Sequence, residues 1–525
     1  MIRVTTESGR WGPFADQILN FLAQDVVELL VDGTTMRGYR SPDSPALWIR
    51  DHSDILRAGR YLEEDMHSAV DGFVATQAAN GRVFDYVMNR AEEGEPENWE
   101  KWVRVPVEAD VEYRFVKAAY LAWQASGDHK WMETVLPSLD RALSYTLSHE
   151  WRWDEEHELV KRPYTIDTWD FDYTAGRVDR LNFQVTDETF WGLFHGDNSG
   201  AFEAALMLRT LHQTAGGPGR AAHWEEVARG LRRRANDVLF NGRFYMHFYK
   251  LTPVTIDGVD EAEQLSLSNP MAINRGLATH DMAASILQEY QRRRENTEAF
   301  AEWFSINPPF PDGSFGDEKL VGGAYVNGGV MPLVGGELAR AAFEHGFETY
   351  GCDTLGQYRD MIMESGETYL WYFPDGTPAS PETSTSPEAA PTDGWGSSAM
   401  LYAFVEGLCG IEDLSHSFER VRCAPRWVAA DEAEASVEVS YAASGAAFGY
   451  DFRHSEDEQH IDVRVAPRGK TVQLHVLLPD GARPSGVTQA GTPLEYDHVQ
   501  VEGSSYADTE LEADQDAAVR IQYDL

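Results

Sequence analysis

The chain has 525 residues, 42% of them hydrophobic and 12% aromatic, and a formal net charge of -42. That apolar content excludes a disordered chain in spite of the charge, and the length calls for one large domain with a smaller companion. So acidic a surface repels nucleic acid phosphates and anionic lipid headgroups, so neither is expected as a partner.

From about residue 14 to 411 the dominant signal is amphipathic helix, with apolar residues at three- and four-residue spacing. The segments FADQILNFLAQDVVELLV, VEYRFVKAAYLAWQA, WMETVLPSLDRALSYTL, AFEAALMLRTLHQTA and WEEVARGLRRRANDVLF follow in order, then MAASILQEYQRRRENTEAFAEWF, VMPLVGGELARAAFEHGF, LGQYRDMIM and SSAMLYAFVEGLCGI. Counting two helices between Asp51 and Asn80, broken near Glu63-Glu64, and a short one over Pro270 to Leu277, the total is about twelve. Twelve helices in antiparallel pairs predict a closed double ring. Non-periodic insertions at 150–196, 306–328 and 366–394 are long enough to be functional. After Ile411 the period changes to two: ASVEVSYAAS, AAFGYDFRH, HIDVRVAP, KTVQLHVLLP, YDHVQVEG and AAVRIQYDL read as strands. The expected organisation is a mainly α domain over 1–412 and an antiparallel β-sandwich over 413–525.

The acidic residues run along the whole chain, and the basic ones are 37 Arg against 7 Lys. A surface of this kind suggests the solvation strategy of proteins in a salt-rich cytoplasm. Cys352, Cys409 and Cys423 form neither a disulfide framework nor a zinc pattern and read as small buried hydrophobes. MIRVTTESGRWGPF has no apolar signal core and no apolar run is long enough to span a bilayer, so a soluble, cytoplasmic chain is expected. No ligand spacing calls for a metal ion, and no cofactor is implied.

Phosphate-loop, dinucleotide, zinc-peptidase and serine-hydrolase signatures are absent. Carboxylates, tryptophans and arginines remain, and these are the groups sugars require: aromatic faces stack on a pyranose, bidentate Arg and Asp hold hydroxyls, and two carboxyl groups cleave the glycosidic bond. Four segments concentrate them. In WIRDHSDIL, Arg50 and Asp51 either complement a helix start or grip something polar. In RVPVEADVEYRF, Glu108, Asp110 and Glu112 crowd the first turns of a helix. In YTIDTWDFDYTAGR, Asp167, Asp170 and Asp172 alternate with aromatics, an environment that raises a carboxyl pKa as a general acid needs; an acidic loop anchored by its rings is the plainer reading. The stretch from Gly366 to Ser398 supplies Glu367, Glu382 and Glu388 in a Pro/Ser/Thr-rich loop before a helix.

Taken in order over roughly residues 45 to 411, these segments resemble the glucoamylase family and its (α/α)6-barrel relatives among the glycoside hydrolases, such as trehalases, neutral invertases and α-L-rhamnosidases. The resemblance implies an (α/α)6 toroid carrying a C-terminal sandwich and a carbohydrate substrate. Trp48-Ile49-Arg50-Asp51 matches the family's W-x-R-D sugar clamp, and Arg104, Glu108 and Asp110 lie in a segment similar to its R-P-x-x-D stretch. TWDFDY looks like the trehalase G-W-D-F motif, which implies Asp170 as general acid with Trp169 beside it. GGAYVNGGVMPL resembles the family's Y-x-x-N-G-x-x-W stretch and implies a sugar contact from Asn327, with Met331 near the place of the Trp. Pro381-Glu382 before Trp395-Gly396-Ser397-Ser398-Ala399 is similar to the P-E-Q segment and W-S-x-A helix start, which implies Glu382 as base, with Glu388 and Glu367 as alternates and Trp395 near the sugar.

The expected reaction is hydrolysis of a terminal glycosidic bond with inversion. A disaccharide phosphorylase would need a phosphate site, and no basic residue stands between Phe373 and Ser398. A non-catalytic carbohydrate-binding protein and an epimerase using a pair from His52, His195 and His247 are the other classes.

Overall fold

The computed structural model describes all residues except 42–43, 90–98, 103–108, 168–184, 386–387, 466–469 and 514–516. Among the described residues there are twelve α-helices: α1 (Trp11–Gln24), α2 (Ile49–Gly59), α3 (Ser68–Thr76), α4 (Val111–Ser126), α5 (His129–Thr146), α6 (His195–Thr214), α7 (Pro218–Leu239), α8 (Ser268–Asn274), α9 (His280–Glu295), α10 (Pro332–Glu344), α11 (Glu348–Ser365) and α12 (Gly394–Tyr402). None of them is long and apolar enough to cross a membrane.

The even-numbered helices form a circuit. α2 packs on α4, α4 on α6, α6 on α8, α8 on α10, α10 on α12, and α12 returns to α2. Contacts near the start of one helix meet the start of the next, as where Gly396 abuts Pro332 and Gly196 abuts Ser268, so the six run in the same direction. Each odd-numbered helix packs against members of this circuit: α1 against α12, α5 against α4 and α6, α7 against α6, α11 against α10.

A helix inside such a circuit has no solvent face. All eleven residues of α2 are buried, among them Arg50, Asp51, His52, Asp54 and Arg57. Buried charges must be paired, and Arg50, Asp54 and Arg57 meet opposite charges on neighbouring helices or at their heads. Asp54 binds Arg114, lies 3.7 Å from Lys117 and accepts the Trp395 indole N–H at 2.8 Å. Arg57 pairs with Glu337, which also takes the Asn274 amide at 2.6 Å. Glu203 lies 3.4 Å from Lys117 and 3.6 Å from Arg275. The circuit is thus filled by an ionic network instead of an apolar plug.

Three expected helices end differently. The periodic run from Phe14 to Val31 splits at Asp25: α1 buries Phe14, Ala15, Ile18, Phe21 and Leu22, and Val26–Val31 becomes a strand paired with Thr34–Tyr39. The β-branched run and the Asp32-Gly33 turn, with φ of 49° and 78°, form a two-residue hairpin loop that overrides the helical spacing. α9 stops at Glu295, and the segment expected to continue it to Phe304 is irregular. α12 passes into a π-helical turn over Ala403–Leu408.

The C-terminal region is sheet-rich. Seven strands run in the order Ile2–Thr6, Glu434–Ser440, Ala447–Ser455, His460–Val465, Ala517–Asp524, Arg483–Gln489, Thr492–Pro493, all antiparallel. A five-stranded sheet runs Ile411–Asp413, Arg420–Cys423, Lys470–Leu477, Ser504–Ala513, Asp497–Val501. Arg420–Cys423 lies parallel to Lys470–Leu477, so the region is not wholly antiparallel as expected. Ile2–Thr6, read from sequence with the helical part, pairs with Glu434–Ser440; its alternating burial fits a sheet edge, but the partner is more than 400 residues away. Ile411–Asp413 straddles the division placed at residue 412.

Candidate functional site

The six circuit helices start at one end of the region, and their first turns bring together the groups the sequence had scattered. Arg50, in the first turn of α2, donates from Nε to Asp110 Oδ2 at 2.6 Å and from Nη2 to Asp110 Oδ1 at 2.9 Å. Asp110 is the residue just before α4, so this bidentate pair ties the heads of two adjacent helices. Asp85 lies 3.8 Å from the same guanidinium, and its carbonyl accepts the Ile49 N–H at 3.0 Å. Burial alone would push the Asp110 carboxyl up, but the Arg50 guanidinium and, behind it, Arg114 hold it well below the usual range. Asp51 is buried beside them, and the half-buried Trp48 packs on Tyr86 with 4.3 Å between ring centroids and planes tilted by 43°.

On the next helix head, Asp197 lies 3.5 Å from Arg162. Burial pushes its carboxyl up to about 6 against the pull of Arg162, and the charges of Asp110 and Asp167 add to the rise. Glu112, in the first turn of α4, is raised to about 7 by burial although Arg152 opposes it. Asp197 and Glu112, the latter facing the Val83 N–H and the Thr146 hydroxyl at the end of α5, therefore change charge near neutrality, while Asp110 stays ionised. Such divergence of carboxyl pKa values marks functional sites.

Asp167 closes the third side. It is buried, accepts the Ser268 N–H of the α8 head at 3.3 Å, and donates its own N–H to His247 Nε2 at 3.2 Å. His195 Nδ1 pairs with the Met246 carbonyl at 3.0 Å, and burial lowers both imidazoles, His247 to about 3. Each ring engages backbone through one nitrogen, a loop-holding role, and His195 Nε2 also lies 3.5 Å from the Ser266 hydroxyl. His52 has a similar duty: its Nδ1 accepts the Tyr39 N–H at 3.2 Å, stitching the Thr34–Tyr39 strand to α2.

Other expected site residues fall elsewhere. Trp169, Asp170, Arg104 and Glu108 lie outside the described residues. Asn327 is fully buried, and its side-chain amide holds Phe310 N–H (2.7 Å) and the carbonyls of Phe310 (3.0 Å) and Leu320 (2.9 Å); it fastens the 306–328 insertion and presents nothing to a sugar. Trp395 is buried with its indole N–H on Asp54, so it supports the α2 head from beneath. Glu382 is exposed on a turn, and Glu367, also exposed, accepts the Tyr369 hydroxyl at 2.9 Å. Glu388 is held by Arg40, whose N–H donates to the Asp25 carbonyl at the end of α1 (2.9 Å). Of the three glutamates, Glu388 is tied to elements that adjoin α2 and α12.

Sequence reasoning missed Asp197, Arg162 and Asp85. Asp197 carried a usable signal, an acid in the first turn of a helix in HGDNSG, but its partner Arg162 is 35 residues earlier, on the Leu159–Pro163 strand.

No protein-family model matches the sequence, and no curated protein sequence matches it. Solved structures do. An α-L-rhamnosidase from Dictyoglumus thermophilum superposes with a TM-score of 0.61 at 11% identity, covering 99% of this chain and 50% of that one. A Streptomyces avermitilis α-L-rhamnosidase complexed with L-rhamnose gives 0.60 at 12% identity, with 99% and 42% coverage. This chain shares the fold of those enzymes. It spans about half the length of the rhamnosidases it matches. A GH63 mannosylglycerate hydrolase from Thermus thermophilus in complex with glucose gives 0.52 at 14% identity, covering 75% of this chain and all of that one.

Proposed function

We propose that the chain is an (α/α)6-barrel glycoside hydrolase that cleaves a terminal glycosidic bond of a small glycoside with inversion of the anomer. The observation that carries this reading is the Arg50-Asp110 clamp with Asp51 and the Trp48-Tyr86 ring pair at the shared head of α2 and α4. A closed circuit of parallel helices aims its N-terminal ends, and hence its partial positive charges, at one mouth, which suits hydroxyl-rich ligands held by carboxylates and guanidiniums.

In this reading Asp170 protonates the leaving oxygen. Glu388, rather than the fully exposed Glu382, serves as the base that activates water, because it is held on the loop that leads into α12. Inversion requires the two carboxyl groups to stand roughly 6.5–9.5 Å apart, leaving room for that water. Arg50 and Asp51 hold sugar hydroxyls, and Trp48 offers a face to the ring. The basic groups nearest that loop, Arg40 and Lys319, bind Glu388 and the carbonyls of Pro381 and Ser384, which favours water over phosphate as the acceptor. By analogy of fold, α-L-rhamnosides and mannosylglycerate are the first substrates to test, followed by gluco-disaccharides.

The test is a panel of these glycosides followed by NMR of the first-formed anomer, for the natural chain and Asp170→Asn. Inverted product, lost by orders of magnitude in the variant with sugar affinity kept, supports the reading. Turnover of none of them, or an unimpaired variant, overturns it.

A further inference from the structure

The carboxylate at the end of α1 has no part in the clamp described above, yet it sits behind the loop that bears Glu388. Asp25 is buried, 2% exposed. Its Oδ1 accepts the Thr392 hydroxyl at 2.9 Å, and its carbonyl accepts the N–H of Arg40, the residue that pairs with Glu388. Its Oδ2 lies so close to Gly394 that a Cβ there would stand 2.5 Å away, so only glycine lets the carboxylate reach the head of α12. The opposite side of this loop is fixed by backbone: Thr368 N–H donates to the Pro391 carbonyl (2.9 Å) and Asp393 N–H to the Thr368 carbonyl (3.1 Å). The 388–394 stretch is therefore gripped between Thr368 and Asp25.

We propose that Asp25 is a positioning residue: its buried carboxyl group holds Thr392 and the start of α12 inward and so sets where Glu388 stands at the mouth. This rests on the reading of Glu388 as the base. The groups that face Asp25 are Arg40 after the Thr34–Tyr39 strand, Tyr39 on it, Asp51 on α2, and Thr392 with the Gly394 amide on the loop. Burial first, with the Asp51 charge adding to it, pushes Asp25 up to about 7 against the pull of Thr392, Arg40 and Gly394. The grip is thus charged above neutrality and loses its charge below it. A folded value raised above the unfolded one means that the docked loop holds the protonated carboxyl more firmly than the ionised one, so the grip weakens as the proton leaves on rising through about pH 7.

The experiment compares the full-length protein with Asp25→Asn and Thr392→Val, each checked for an unchanged circular-dichroism spectrum. Hydrogen exchange of amides 388–394 is followed from pH 5.5 to 8.5, and kcat and KM on whichever glycoside is turned over are followed across the same range. In the natural chain protection of these amides falls as pH rises through about 7, and kcat carries a limb there. Asp25→Asn, which keeps an acceptor for Thr392 but cannot ionise, abolishes both dependences, and Asp25→Ala, made alongside it, lowers kcat about 10-fold or more with KM little changed, as expected for a displaced catalytic group. Thr392→Val shows the same direction with a smaller loss. Exchange at 388–394 that is pH-independent in the natural chain, or unaltered in Asp25→Asn, overturns the proposal. Failure of the hydrolase reading shows separately, as absent turnover with the exchange pattern intact.

Discussion

Removing the Asp110 carboxylate with Asp110→Ala strikes the contact on which the candidate site depends. The pair is bidentate at 2.6 and 2.9 Å, and the two side chains are 8% and 1% exposed, so water reaching the accessible edge of Arg50 is a poor substitute for the lost carboxylate. Breaking a buried pair by deleting one member costs about 3–5 kcal/mol, because the remaining charge is left uncompensated. Asp85, 3.8 Å from Arg50, takes up part of that charge, which places the expected loss near the lower bound, about 3 kcal/mol or two decades in the folding equilibrium. The assay is urea denaturation at pH 7, at low salt and near 1 M salt, with Arg50→Leu and the double variant completing a cycle. The double variant should cost less than the sum of the singles by roughly 1–3 kcal/mol, and added salt should not narrow the gap, since buried pairs are poorly screened. The pH dependence has a definite sign. Asp110 is held below its unfolded value, so its contribution is complete above about pH 4 and fades as pH falls further, and the variant lacks that limb. A loss under about 1 kcal/mol, or one erased by salt, is the behaviour of an exposed pair and would refute the reasoning.

Glu112 and Asp197 predict the opposite slope: their folded values, about 7 and about 6, are raised, so folding favours their protonated forms and stability falls as pH rises from about 4 to 7, by on the order of 3 kcal/mol for each group. Asp197→Asn should flatten part of that slope in a melting series, and an unchanged slope would mean Asp197 is solvated. Trp395→Phe removes the indole N–H from the Asp54 carboxylate and should cost about 1.5–3 kcal/mol in the same urea assay while leaving Arg114 and Lys117 in place. Asn327→Ala leaves three buried backbone groups without their partner and should open the 306–328 insertion to protease well before global unfolding, with sugar affinity of the mouth unaltered.

What could be read from sequence was whatever local periodicity or a short motif encodes. WIRDHSDIL announced a helix head with two ionisable residues, and the structure puts both on the first turn of α2. The six late strands that were expected are all present, because alternation over five or more residues survives in any packing context. What failed was contact between distant segments. Ile2–Thr6 alternates like a strand, but nothing in it names Glu434–Ser440 as its neighbour. Asn327 sits in a motif-like stretch, yet its amide faces the backbone of Phe310 and Leu320, which only the folded insertion reveals. Both Glu382 and Glu388 follow a proline, so local context does not separate them, whereas Arg40, 348 residues away, pairs with Glu388.

The ionic filling of the helix circuit bears on why the mouth can be built at all. Apolar side chains would fill the bore more cheaply, since desolvating a charge pair offsets most of its attraction. An apolar interface between parallel helices, however, tolerates a slide of one turn with modest change in buried area. The Arg57-Glu337 contact does not: one turn along the helix from Glu337 stand Leu333 and Arg340, and neither can accept the buried guanidinium. Register of α2 against α10 is therefore fixed by matching charges below the mouth, and fixed register aligns their first turns. Arg50 meets Asp110, and Gly196 meets Ser268, only when α2, α4, α6 and α8 begin at the same height. The network contributes specificity of placement to the clamp above it. Replacing a whole pair such as Arg57 and Glu337 with leucine and methionine should accordingly leave stability nearly unchanged while weakening ligand binding at the mouth. Calorimetry against urea denaturation of that double variant separates the two, and equal loss in both would place the network among ordinary core contacts.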